Sequence, residues 1–201
     1  GTPLALWLSS TCHGARLVRL LVLLPLALPP VVAGLALSAF IGRRGVVAPL
    51  LDALGWQFAF AFPGVVAAHV FIALPYVVVT LDSALGQLDR EVTDSAAAVG
   101  LSPATVTFRI VLPAIAPALA TAAGLAFTRS LGEFGTTLTF AGSMPGVTRT
   151  MPLGIYLARE VDQSQAYGLS AILICFAVLA LLLSALPSLL RRRPRPRVRA
   201  T

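Results

Sequence analysis

Four stretches of this chain, about residues 17–40, 58–81, 110–128 and 166–190, are almost wholly apolar. A helix of about 18–20 apolar residues crosses the hydrocarbon core of a bilayer. The sequence therefore predicts an all-α, polytopic transmembrane bundle of about four full spans. Composition agrees. Charged residues make up 11% and hydrophobic residues 57%, whereas a soluble domain carries roughly 25% charged residues. Prolines fall inside several stretches, at Pro25, Pro29, Pro30, Pro63, Pro75 and Pro117. Membrane helices tolerate them where neighbours satisfy the freed carbonyls. The opening segment, Gly1 to Leu8, is apolar but too short to span. The chain reads as beginning partway through a helix, with about one and a half spans expected upstream.

All fifteen basic residues are arginine. Six crowd into the tail at Arg191, Arg192, Arg193, Arg195, Arg197 and Arg199, so the net charge of +7 is largely a tail effect. Basic residues beside an apolar span mark its cytoplasmic side, which argues against a nucleic-acid partner. One orientation puts Arg16, Arg19, Arg90, Arg109 and the tail inside, against Arg43, Arg44, Arg129, Arg149 and Arg159 outside, ten to five. Without the tail the count is four to five. Cys12 and Cys175 lie far apart and read as packing residues; His13 and His69 are isolated. None has metal-ligand or redox spacing, and no metal or cofactor is expected.

The polar interruption between the second and third stretches carries Asp94-Ser95-Ala96, then Gly100, then Ile110-Val111-Leu112-Pro113. Asp89 can cap a short helix to about Val99 through its carboxylate. Ala96, Ala97 and Ala98 give that helix a small-residue face. Gly100 supplies a turn without Cβ, and Ser102-Pro103 is a fresh helix start, a capping hydroxyl followed by proline at the first helical position. Two short helices joined by a bend are predicted.

Beyond the third stretch comes Arg129-Ser130-Leu131-Gly132-Glu133-Phe134-Gly135. Arg129 and Glu133, spaced i, i+4, can pair on one helix face. A charge at mid-membrane depth costs about 2.5–3.5 kcal/mol on insertion scales and so faces a cavity or a partner. Gly132 and Gly135 bracket the glutamate and can break the helix. This segment is expected to line a translocation path or its outer gate; an interfacial salt bridge anchoring the helix end is the plainer alternative. The following segment, residues 141–156, is punctuated by Pro145, Gly146 and Pro152 as an ordered loop. Its Thr148, Arg149 and Thr150 offer donors to a docking protein or an anion, or belong to a solvated loop.

The spacing of the polar interruption resembles the cytoplasmic coupling loop of ABC-importer permeases. There Glu-Ala-Ala is followed by Gly and, nine residues later, by Ile-x-Leu-Pro; residues 101–109 are the spacer here. Residues 129–156 narrow the likeness. They resemble the molybdate permease subunit, whose pattern runs Arg-Ser-Leu-Gly-Glu-Phe-Gly-Ala-Thr and then Pro-Gly-x-Thr-Arg-Thr-x-Pro-Leu-x-Ile-Tyr. Leu23-Leu24-Pro25-Leu26-Ala27-Leu28-Pro29-Pro30-Val31 and Leu74-Pro75-Tyr76 are similar to two further spans of that family. Departures are Asp94 for Glu, Ser95 for Ala and Thr136 for Ala; the aspartate keeps the charge but is one methylene shorter. Sulfate permeases share the loop and the Gly-Glu pair. They more often have Tyr at the position of Phe134 and lack the Thr-Arg-Thr-x-Pro loop.

The resemblance implies a type I ABC-importer permease over residues 1–190, with residues 87–109 as the coupling loop and 191–201 as a basic cytoplasmic tail. It implies a homodimer of permease subunits, two ABC ATPase copies and an extracytoplasmic oxyanion-binding protein, in the cytoplasmic membrane of a bacterium or archaeon. The substrate implied is molybdate or tungstate, with sulfate or thiosulfate as the alternative, moved by alternating access. The chain has no Gly-x-x-x-x-Gly-Lys phosphate loop and no lysine at all, so ATP hydrolysis is expected on another chain. An intramembrane enzyme is disfavoured by scattered carboxylates and the lack of His-Glu-x-x-His. A passive channel has no use for a loop of this spacing.

Overall fold

The computed structural model describes residues 1–9, 14–88 and 100–190, with side chains to residue 186. The described residues form helices and connecting turns, without a strand. In chain order these are α1 (Thr2–Ser9), α2 (Ala15–Ala27), α3 (Pro30–Ile41), α4 (Ala48–Ala53) and α5 (Phe62–Gly86). Then follow α6 (Pro103–Ala114), α7 (Ala116–Leu131), α8 (Gly135–Ala141), α9 (Met151–Val161) and α10 (Gln163–Leu190).

The axis of the bundle is α5. Its buried residues Gly64, Ala68, Ile72, Pro75, Val78 and Leu81 recur every three or four positions and make one continuous stripe. Along it pack α1, α2, α7 and α8. Ala5, Leu81, Ile115 and Ala122 meet at one level, Leu8, Val22 and Val78 at another, and Leu37, Ala68 and Phe140 towards the start of α5. α10 lies against α7 and α9.

By length and apolarity α5 and α10 each suffice to cross a membrane, and α6 with α7 passes the same test as a pair bent by 71°, the geometry of a broken span or a re-entrant loop. The bend falls at Ile115, between Pro113 and Pro117. Each proline lacks an amide N–H, so the backbone ladder is interrupted on both sides of it. The first expected span, 17–40, is not one helix. Leu28 adopts extended backbone (ψ 134°) because it precedes Pro29, and Pro30 starts α3 afresh. Neither α2 nor α3 reaches spanning length alone.

The outer surface is that of a protein in lipid or against a partner. No residue in the most apolar 18-residue window of α10 is buried, and Ile174, Leu182 and Leu183 are each more than 60% exposed. Apolar surface on this scale is unstable in water. Cys175 belongs to this outward face and does not pack in a core as expected; Cys12 and His13 lie outside the described residues. At the head of α10, Asp162 accepts from the Ser164 hydroxyl and from the amides of Ser164 and Gln165. The hydroxyl foremost, then the two amides, hold its carboxyl below the ordinary range.

Candidate translocation gate and coupling segment

α7 stops at Leu131 and the chain resumes as α8 at Gly135. Glu133 lies in the break. One carboxylate oxygen accepts from the Thr136 amide at 2.7 Å, satisfying a free donor of the first turn of α8. The other lies 2.9 Å from Arg129 Nη1. The i, i+4 pair read from the sequence therefore bridges the end of α7 to the start of α8. Glu133 is only 1% exposed, whereas Arg129 is 29% exposed. The buried charge is matched by a cation and an amide, the condition under which a carboxylate persists in a low-dielectric interior.

The two glycines of the break differ in purpose. Gly132 has φ −86°, accessible to any residue, and space around its Cα. Gly135 packs on α3, where a Cβ would come within 2.7 Å of Pro30 Cβ. Thr136 donates its hydroxyl to the Pro30 carbonyl at 3.1 Å, and Thr139 packs over Gly34.

A residue the sequence reading left isolated joins this group. His69 is seven residues into α5, ~10 Å along its axis. Its Nδ1 hydrogen-bonds Ser130 Oγ, and its Nε2 lies 3.3 Å from Thr137 Oγ1. Its partners are 61 and 68 positions away, so no local pattern announces it.

The network lies between two open clefts. One, about 470 Å³, is lined by Arg129, Gly132, Glu133, Gly135 and Thr139 with Pro30. The other, about 390 Å³, holds His69, Ser130 and Thr150 at a wall of valines and Phe127. Phe134 also lines the larger cleft and pairs with Tyr156 of α9, ring centroids 5.2 Å apart.

In the loop after α8 the three polar residues part company. Thr148 is 2% exposed, and its hydroxyl accepts the Met144 amide at 2.9 Å while the Met144 carbonyl accepts the amides of Val147, Thr148 and Arg149. It closes the loop from within. Arg149 is exposed and makes long contacts to Ser143 at 3.4 Å. Thr150 Oγ1 is buried without a hydrogen-bond partner among the described residues.

Of the coupling segment, Asp94, Ser95 and Ala96 lie outside the described residues, as does the expected Asp89 cap. Gly100 has φ +84°, the left-handed turn that suits glycine. Ser102 Oγ accepts the Thr105 amide at 3.2 Å, the predicted helix start. Ile110 sits in a π turn, Thr107–Val111, ahead of Pro113. Leu112 packs against the cluster around Leu81 and Ile115, which connects this segment to the core. At the same end of the bundle Arg19 of α2 pairs with Asp82 of α5 at 2.8 Å.

An apolar helical bundle with helices long enough to cross a membrane and a buried polar network at a helix break has the type I permease fold of a membrane transport subunit. The sequence matches the model described as "binding-protein-dependent transport system inner membrane component" over residues 1–199, and the chain belongs to that family. It is 46% identical over 183 residues to the molybdenum transport system permease protein ModB of Mycobacterium tuberculosis, spanning 90% of this chain and 69% of the relative. It is 34% identical over 147 residues to a probable sulfate transport system permease protein, cysT, of Chlorokybus atmophyticus, spanning 73% of this chain and 51% of that one. A chain of a bacterial alginate ABC transporter, crystallised in complex with an alginate pentasaccharide-bound periplasmic protein, has the same fold. Its TM-score is 0.65 at 20% identity, over 94% of this chain and 70% of that one.

Proposed function

We propose that this chain is the permease subunit of an ATP-driven importer that moves molybdate or tungstate inward by alternating access. The observation that carries the reading is the 46% identity to the molybdenum permease relative over 183 residues. A sulfate or thiosulfate importer is the second reading, favoured by the 34% identity to the sulfate relative. The protein resides in the cytoplasmic membrane of a bacterium or archaeon as a multi-pass homodimer. Two ABC ATPase copies dock on residues 87–109, and an oxyanion-binding protein docks on the face that presents Arg149. The proximity of Arg19 to Asp82, near the head of the coupling segment, supports placing Arg16 and Arg19 on the ATPase side.

In this mechanism ATP closes the ATPase pair, whose motion enters through Asp94, Ser95, Ala96 and Gly100. It passes along Ile110, Leu112 and Pro113 to the bent span. Arg129, Gly132, Glu133, Phe134 and Gly135 form the gate. There the glutamate neutralises the arginine while the break is held shut, and Gly135 lets α8 ride on Pro30. Thr148 and Thr150 shape the loop that presents Arg149. The test is co-purification with the candidate ATPase, wild type against Gly100→Asp. The expected result is a complex that the substitution abolishes. A complex indifferent to Gly100→Asp would remove the coupling loop from the reading.

A further inference from the structure

We infer that His69 is a positioning residue: by holding Ser130 and Thr137 at once it sets the angle between α7 and α8 and ties that angle to α5. Ser130 is in the last turn of α7 and Thr137 in the first turn of α8, on opposite sides of the Gly132–Gly135 break. One imidazole meets both, a nitrogen to each hydroxyl. A neutral imidazole donates from one edge and accepts at the other, so a single side chain can latch two hydroxyls that face it from different helices. The other ties across the break, Arg129 to Glu133 and Glu133 to the Thr136 amide, belong to the break itself. His69 alone of these residues stands on the central helix. The far end of that helix, Gly86, leads into residues 87–109.

A rotation that opens α7 from α8 has to release Ser130 or Thr137 from the ring. Thr150 lines the same cleft as His69 and Ser130, and its Oγ1 has no partner among the described residues. The inference deepens the importer reading and rests on it for its transport consequence; its structural consequence stands apart.

The experiment compares full-length wild type, His69→Phe, His69→Gln and Thr137→Val in lipid nanodiscs. Backbone amide exchange is read over residues 132–137 and, as a reference, over α10. His69→Phe is expected to speed exchange at 132–137 about tenfold with α10 unchanged, and Thr137→Val to do the same in smaller measure. His69→Gln, which keeps a donor and an acceptor, is expected to restore most of the protection. Unchanged exchange in both His69→Phe and Thr137→Val would overturn the latch, as would a glutamine variant no better protected than phenylalanine. Thr137→Val decides alone if His69→Phe fails to fold. In the reconstituted importer His69→Phe lowers maximal uptake at unchanged KM, and His69→Gln recovers it. Wild type without ATP-driven uptake would refute the importer reading, and the exchange data would still judge the latch.

Discussion

Glu133 and Arg129 face each other at 2.9 Å across a break in the helix, one of them sealed at 1% exposure and the other open to a cleft at 29%. The asymmetry makes the pair unequal under substitution. Arg129→Met leaves a buried carboxylate without its cation and is expected to cost about 3–5 kcal/mol. Glu133→Gln keeps an acceptor for the Thr136 amide and leaves behind a guanidinium that faces the cleft, so its cost is smaller. The double variant recovers part of the Arg129→Met loss. Thermal unfolding in detergent gives the ranking. Normal uptake by Arg129→Ala at normal expression would take the pair out of the transport path.

The glycines of the break are expected to separate cleanly. Gly135→Ala drives a methyl into Pro30 and costs about 1–3 kcal/mol. Gly132→Ala enters open space at a negative φ and changes stability by about 0.5 kcal/mol or less. Equal melting temperatures would contradict the close seating of α8 on α3.

Two neighbouring threonines make a second contrast. Thr148→Val removes the acceptor of the part-buried Met144 amide and costs about 1 kcal/mol. Thr150→Val loses no bond among the described residues, because that hydroxyl has none there, and is expected to be neutral or stabilising. Urea or thermal melts of the two variants side by side decide it.

Much of this was legible in the chain. Continuous apolarity marked α5 and α10 because a helix buried in lipid needs no polar face. The Ser102 cap, the Gly100 turn and the Arg129–Glu133 pair were readable because each acts within four residues of itself. What escaped was set by other causes. Leu28 is extended because Pro29 follows it, a backbone clash that splits a stretch which hydropathy reads as one span. Pro113 and Pro117 flank the bend of the α6–α7 pair, and the size of that bend, 71°, is not written in its composition. Thr148 reads in the sequence as a donor to a docking protein or an anion, and the bond its hydroxyl accepts from the Met144 amide inside its own loop has no signal there. His69 acquires its partners only when α5, α7 and α8 meet.

Asp162 gives a pH dependence with a definite sign. Its folded carboxyl is held below the ordinary 3.8 by the Ser164 hydroxyl and the two amides. The cap's contribution is therefore complete above that ordinary value and is lost as the pH falls through the lower folded value. Asp162→Ala is expected to lower the melting temperature at neutral pH, with Asp162→Asn retaining most of the cap. The difference between wild type and Asp162→Ala should shrink below about pH 3.8. A gap that persists undiminished into stronger acid would show that the carboxylate is not the cap.

The most direct test of the central claim is uptake of radiolabelled molybdate into proteoliposomes holding this permease with its ATPase, with the binding protein supplied outside. Uptake that requires ATP, is competed by unlabelled molybdate and tungstate but weakly by sulfate, and is lost with Gly100→Asp is the predicted result. Molybdate entry that proceeds without ATP, or a carrier that takes sulfate in preference, would contradict it.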